Sequence, residues 1–264
     1  MDIPSTSHQS LYASLGTASA PLLIDVRREA AFDGDQTMIV GAVRRPPETV
    51  AEWLGALPPG RRVIAYCAHG HEVSQGVAAS LCDAGIPASF LIGGIAAWRD
   101  ARLPTRRKLG AMPSTWVTRE RPKIDRIACP WLIRRFVDPE ATFLYVPTDR
   151  VLSTAAETGA IAYDIPGAEP FSHDGALCSF DAVLKIYGID DTALDQLAVI
   201  VRGADTARPD LAPQAAGLLA ISLGLSANYR DDHAMLEQGM IVYDALFSWC
   251  RGLQDETHSW KQPA

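Results

Sequence analysis

The chain has 264 residues, 48% hydrophobic and 21% charged, enough to bury a sizeable core and too apolar for a disordered polypeptide. Lys and Arg total 24 against 31 Asp and Glu, and the net charge of −7 sets up a field that repels polyanions, so nucleic acid is not an expected partner. No basic stretch precedes an apolar run near residue 1, and no segment reaches the ~18 to 20 apolar residues of a membrane span; a cytoplasmic protein with no membrane partner is expected.

The length suggests two domains. Residues 22–26, 63–66 and 88–92 are short apolar runs of strand length. Between them, residues 48–57 and 74–84 carry apolar side chains at helical spacing, the second setting Val77, Ala78, Leu81 and Cys82 on one face. Strands alternating with helices predict an α/β domain, a parallel sheet with flanking helices. Residues 105–114 break the rhythm with a basic cluster, Gly110 and Pro113, and read as a solvated connector. The expected domains are 1–108 and 116–264, joined by 109–115. In the second, Pro130 suits the first turn of a helix through Trp131, Leu132, Ile133 and Phe136, stopped at Asp138 and Pro139. Residues 143–146 and 161–163 are candidate strands, and helices are expected over 180–187, 192–201, 213–223 and 231–250. In the last, Leu236, Met240, Tyr243 and Phe247 form a core stripe. A mainly helical α+β domain follows.

The five cysteines, Cys67, Cys82, Cys129, Cys178 and Cys250, are odd in number and contain no CxxC, which argues against a disulfide framework or a structural zinc cluster. Cys67 stands between the strand at 63–66 and the helix that follows. Such a loop turns backbone N–H groups and a helix N-terminus toward the sulfur, lowering a thiol pKa and holding a thiolate or persulfide. Gly70 supplies conformations closed to other residues. The runs Ile24-Asp25-Val26-Arg27, Gly41-Ala42, the Cys67 loop and Gly93-Gly94-Ile95-Ala96-Ala97-Trp98 resemble, in order and spacing, a rhodanese domain over about residues 10–105. The resemblance implies that Cys67 is the nucleophile that accepts sulfane sulfur, with a small sulfur donor and a thiol acceptor as partners, and that Asp25 and Arg27 hold the loop. Glu72 stands where the family commonly has an arginine, and a carboxylate there opposes thiolate formation and repels anionic thiosulfate. His69 and His71 are candidates for positive charge or proton relay.

In the second half, arginines crowd an aromatic segment, and Arg126, Arg134 and Arg135 are candidate oxyanion ligands, with salt bridging as the alternative. Residues 116–136, 138–141, 171–181 and 239–246 resemble the chromate resistance protein family, over about residues 114–252. That resemblance implies a setting of bacterial oxyanion or metal stress, with chromate or another oxyanion as a ligand. His173, Cys178 and Asp181 have the donor types of a transition-metal site for zinc or iron, and Asp205 or His233 are candidate fourth ligands. Turn capping and core packing are the alternative roles. Cys129, expected at a helix start, is a candidate redox thiol; Cys82 and Cys250 read as structural.

The preferred function is sulfur transfer through a Cys67 persulfide, coupled to oxyanion or metal stress. The competing readings are a metal or chromate sensor with a non-catalytic rhodanese module, and a direct chromate reductase. The oligomeric state stays open, a homodimer included.

Overall fold

A computed structural model describes residues 3–256. The chain packs as two compact units. The first takes the residues up to Ser114 together with Ile133–Ala141 and Ile186–Ile189; the second takes Thr115–Leu132, Thr142–Lys185 and the chain from Asp190 on.

The strands of the first unit are Ser5–Thr6 (β1), Leu22–Asp25 (β2), Thr37–Ile39 (β3), Ala42–Arg44 (β4), Val63–Tyr66 (β5), Ala88–Leu91 (β6) and Thr105–Arg107 (β7). Five form one sheet in the order β1-β6-β5-β2-β4, with every pairing parallel. β2 and β5 are buried along their whole length, which is why they read as unbroken apolar runs. The Glu72–Asp83 helix buries Val77, Ala78 and Leu81, and Val77 and Leu81 join Leu22, Ile24, Val63 and Ala65 in one core. The expected parallel α/β domain is present.

Two expectations for this unit are corrected. Residues 48–57 do not form one helix: a 3₁₀ turn at Pro47–Thr49, a helix at Val50–Trp53 and a second 3₁₀ turn at Leu54–Ala56 follow one another, hemmed in by proline on both sides. The basic cluster is not all solvated, because Thr105–Arg107 pairs antiparallel with β3. Strand alternation turns Arg106 inward, only 3% exposed and donating to the Ala42 carbonyl at 3.2 Å, while Arg107 stays exposed. Between β3 and β4, Gly41 has φ +69° and gives its N–H to the Phe136 carbonyl at 2.7 Å; a Cβ there would lie 2.7 Å from the Arg135 carbonyl oxygen. Only glycine combines that conformation with that approach.

In the second unit, Thr115–Arg119 (β8), Thr142–Val146 (β9) and Ile161–Ala162 (β10) form a parallel sheet in the order β10-β8-β9. Helices Thr192–Asp205, Pro213–Asn228 and Asp232–Gly252 make up much of the rest. Leu236, Met240, Tyr243 and Phe247 are buried as the stripe predicts. The Trp131 ring lies 5.6 Å from Phe247 and 6.4 Å from Phe180, and this aromatic cluster anchors the Asp125–Leu132 helix.

Pro130 lies inside that helix and not in its first turn. A proline nitrogen cannot donate, so the Arg126 carbonyl four residues earlier loses its helical partner. The hydroxyls of Tyr145 and Tyr163 donate to it instead, each at 3.4 Å, and a π-helical turn at Ile133–Val137 follows. The Pro213–Asn228 helix runs through Gly224, where an end was expected. It is closed by the Arg121 guanidinium, which donates to the carbonyls of Ser226, Tyr229 and Arg230. Among the described residues no helix is long and apolar enough to cross a membrane.

Ile124, just before the Asp125–Leu132 helix, has φ +42°, an outlying conformation for a β-branched residue. Its backbone is pinned at both ends: the N–H donates to Ser222 Oγ at 3.2 Å, and the carbonyl accepts from the Tyr243 hydroxyl at 3.0 Å. Tyr243→Phe leaves that buried carbonyl without its donor, and chemical denaturation is expected to show a loss of about 1–3 kcal/mol.

Candidate functional site

The thiol of Cys67 sits where β5 ends and the Glu72–Asp83 helix begins, and the residue is 6% exposed. Burial alone pushes its pKa up. Donors reverse this: Ser74 Oγ lies 3.2 Å from Sγ, and the N–H groups of Ser74, His69 and His71 add to it, so the thiol titrates below its ordinary value. The loop can wrap so tightly because Gly70 has φ +72° and a Cβ on it would sit 2.5 Å from the Leu91 carbonyl oxygen. The loop is held from outside as well. Ile95 N–H donates to the Cys67 carbonyl at 3.1 Å and Ala96 N–H to the Ala68 carbonyl at 3.0 Å. A cavity of about 160 Å³ opens onto the sulfur, lined by Arg27, Arg28, Cys67, His69, His71 and Glu72 among others. Arg28 is a lining cation that the sequence reading missed, since nothing in its spacing separates it from a surface arginine. His69 and His71 are exposed, with ring centroids 6.0 Å apart.

Asp25 and Arg27 act beneath the loop. The Asp25 carboxylate is fully buried and accepts from Arg27 Nε at 2.9 Å and from the Tyr66 hydroxyl at 2.8 Å. Tyr66 directly precedes Cys67, so the carboxylate fixes the strand end that carries the nucleophile. Arg27 continues to Asp35 at 2.7 Å, and Asp35 pairs with Arg99 at 2.6 Å.

In the second unit, His173 meets three carboxylates. Its Nε2 lies 3.1 Å from Asp205 Oδ2, 3.4 Å from Asp164 Oδ1 and 3.7 Å from Asp125 Oδ2. The hydrogen bond to Asp164, opposed by partial burial and reinforced by the charges of Asp125 and Asp205, pushes its pKa up to about 9. Asp125 is fully buried, and burial followed by the charges of Asp205 and Asp164 raises its pKa well above the carboxylate range. Ser179 holds both neighbours, its N–H donating to Asp125 Oδ2 at 2.5 Å and its hydroxyl to Asp164 Oδ1 at 2.9 Å. Arg119 and Arg126 both face Asp164 Oδ2, at 3.2 and 3.3 Å.

The three residues read from the sequence as metal ligands are thus placed apart in role. Asp181 accepts from Arg202 Nε at 3.0 Å and from the Cys178 N–H at 3.0 Å, the capping and pairing alternative. Cys178 is 0% exposed, and burial with the neighbouring Asp125 charge drives its thiol pKa far up. His173 alone of the three joins the acidic cluster; Asp205 lies 3.1 Å from it, while His233 packs edge-on against Tyr145. Asp125 and Asp164 were missed because single aspartates 39 residues apart carry no spacing signal. Of the three candidate oxyanion ligands, Arg126 belongs to the second unit and Arg134 and Arg135 to the first. Arg134 donates to the Ala141 carbonyl. Cys129 sits within its helix, 0% exposed, and burial raises its pKa well above the thiol range, which removes the basis for a redox thiol there. Cys82 points to the Ala88 carbonyl and Cys250 is buried, both in packing roles.

Comparison with known proteins matches one family to each half of the sequence. The fold and the Cys67 loop define a rhodanese-like domain, and the rhodanese-like family model matches residues 7–101. The model of the ChrB C-terminal domain matches residues 116–250, just over half of the sequence, and the chain belongs to that family. Protein ChrB of Cupriavidus metallidurans is 33% identical over 147 residues, which are 55% of this chain and 44% of the relative, so the chain spans less than half of that protein's length. Among solved structures, a rhodanese-related protein of Thermoplasma volcanium is 24% identical with a TM-score of 0.34, over 39% of this chain and 96% of its own. A rhodanese-like domain protein of Staphylococcus aureus is 25% identical with a TM-score of 0.33, over 36% of this chain and 90% of its own.

Three outcomes test this geometry. Alkylation of Cys67 by iodoacetamide, followed against pH, is expected to have its midpoint below that of an ordinary thiol, because the reactive thiolate predominates above a pKa that is lowered here. Ser74→Ala is expected to move that midpoint upward and slow the reaction severalfold at neutral pH, having removed a donor to the thiolate. Asp25→Ala takes from the buried Arg27 the nearer of its two carboxylates, Asp35 remaining, and from the Tyr66 hydroxyl its acceptor, and urea denaturation is expected to show a loss of about 3 kcal/mol.

Proposed function

We propose that this protein is a sulfur carrier, in which Cys67 takes sulfane sulfur as a persulfide and passes it to a thiol acceptor. The observation that carries this is the ring of donors on Sγ: the Ser74 hydroxyl and the N–H groups of Ser74, His69 and His71 stabilise an anion at that point, whether thiolate or persulfide. The Cys67 thiolate attacks the sulfane sulfur of a donor. A new S–S bond forms at Cys67, the donor's bond to that sulfur breaks, and the donor leaves as a thiolate or sulfite-type anion. An acceptor thiolate then attacks the outer sulfur, takes it, and restores the Cys67 thiolate. No electrons are gained or lost by the protein over the cycle.

The cavity mouth bears on the donor. Arg28 offers positive charge, whereas Glu72 places a carboxylate in the same lining. Small thiol-linked persulfides fit this mixed mouth better than thiosulfate. The family resemblance of residues 116–250 supports a role in bacterial oxyanion or metal stress, with chromate as the stress.

Glu72 also favours a second reading, in which the rhodanese module binds a partner without turnover while the other unit serves as a sensor. Incubation with a low-molecular-weight persulfide decides between them. Intact mass is expected to rise by about 32 Da, one sulfur atom, on the wild type and not on Cys67→Ser. Equal labelling of Cys67→Ser, or no labelling of the wild type, rejects the carrier. Glu72→Arg is expected to raise thiosulfate turnover several-fold relative to persulfide turnover.

A further inference from the structure

The second unit contains a cluster that sulfur transfer does not use. Asp125 opens the Asp125–Leu132 helix, Asp164 follows β10 in a left-handed conformation at φ +53°, His173 comes from a loop, and Asp205 ends the Thr192–Asp205 helix. One ligand atom from each of Asp125, Asp164 and His173 lies within 4.8 Å of the others, and Asp205 Oδ2 is 3.1 Å from His173 Nε2. Donors bound at about 2.0–2.2 Å to one ion stand up to roughly 4 Å apart, so small side-chain shifts bring the atoms of Asp125, Asp164 and His173 onto a common centre, with Asp205 beside His173.

Acidic clusters are common, and proximity alone does not make a site. Here a second observation points to a missing partner: Asp125 is fully buried, and its Oδ1 has no hydrogen-bond partner. Buried polar atoms are almost always satisfied, and one left bare calls for a partner such as a water or an ion. Three carboxylates converge on His173, and the guanidiniums of Arg119 and Arg126 both face a single one of their oxygens, Asp164 Oδ2. The carboxylates are also held in place, Asp125 and Asp164 by the N–H and hydroxyl of Ser179, as metal-binding carboxylates generally are. His173 has a side chain 41% exposed, which leaves a path from solvent.

We propose that Asp125, Asp164, Asp205 and His173 bind one divalent first-row cation. Three oxygens and one imidazole nitrogen, without a thiolate, select Mn²⁺ or Fe²⁺ over the soft ions that Cys178 and Cys129 would favour. This set differs from the one built on His173, Cys178 and Asp181, because Arg202 occupies the Asp181 carboxylate.

The test uses the full chain, stripped with a chelator and titrated with Mn²⁺ alone, with the free ion followed by electron paramagnetic resonance. One Mn²⁺ per chain is expected, at micromolar affinity or tighter, together with a higher melting temperature. His173→Ala and Asp205→Asn, both at partly exposed positions, are expected to weaken binding by about 10- to 100-fold while far-ultraviolet circular dichroism stays unchanged. Asp125→Asn is expected to do the same if it folds, and the two exposed variants carry the test if it does not. Asp181→Asn is expected to keep wild-type affinity and lose only thermal stability. No binding by the wild type, undiminished binding by His173→Ala and Asp205→Asn, or loss of binding in Asp181→Asn each overturns the proposal.

Discussion

A carboxylate removed from water has to be answered by donors or by a cation, and both units are organised by that requirement. In the first, Asp25 is the buried charge. Its partners come from three stretches of chain: Arg27 just beyond β2, Tyr66 at the end of β5, and, one step out through Arg27, the Thr37 carbonyl and Asp35. They fix the ends of adjacent strands, so the loop that follows Tyr66 starts from a set position, and the donors around Sγ inherit their geometry from an ion pair beneath them.

The two units treat negative charge in opposite ways. At Cys67 the donors come first: N–H groups and a hydroxyl surround a sulfur that ionises because of them. In the second unit the negative groups come first. Asp125, Asp164 and Asp205, from three separate segments, are brought together against one histidine from a fourth, at a cost met partly by Arg119, Arg126 and Ser179. Strain is concentrated in the same place. Ile124 and Asp164 both adopt left-handed backbone conformations, each next to or within the cluster, and such outliers persist only where the surroundings enforce them. The Ser222 and Tyr243 hydrogen bonds on Ile124 are that enforcement.

What the sequence disclosed follows from how local each feature is. The parallel sheet of the first unit and the Cys67 loop are written in contiguous residues: apolar strand, cysteine, glycine, helix. The buried stripe from Leu236 to Phe247 is equally local. The carboxylate cluster is assembled by tertiary packing from positions 125, 164, 173 and 205, and aspartate is so common at turns and caps that no pattern sets these apart. Proximity in sequence misled in the case of Asp181, three residues from Cys178, because its charge is claimed by Arg202 from another helix. Pro130 misled for a related reason. Its cost in a helix interior is offset by two tyrosine hydroxyls supplied from β9 and the residue after β10, which no local rule anticipates.

The chain does not finish one compact unit before starting the next. The first unit takes in Ile133–Ala141 and Ile186–Ile189, and the N–H of Gly41 has its acceptor in Phe136. During synthesis, then, the β3–β4 turn waits with an unmet donor until nearly a hundred further residues have been added. The unit is complete only once residue 189 has left the ribosome. At roughly 5–20 residues per second, the passage from residue 114 to residue 189 lasts about 4–15 s. Through that interval the Cys67 loop already has its whole local sequence, yet the unit that carries it lacks two of its pieces. Translation therefore imposes an order of maturation in which the sulfur-bearing unit closes late, after β8, β9 and β10 have all been made.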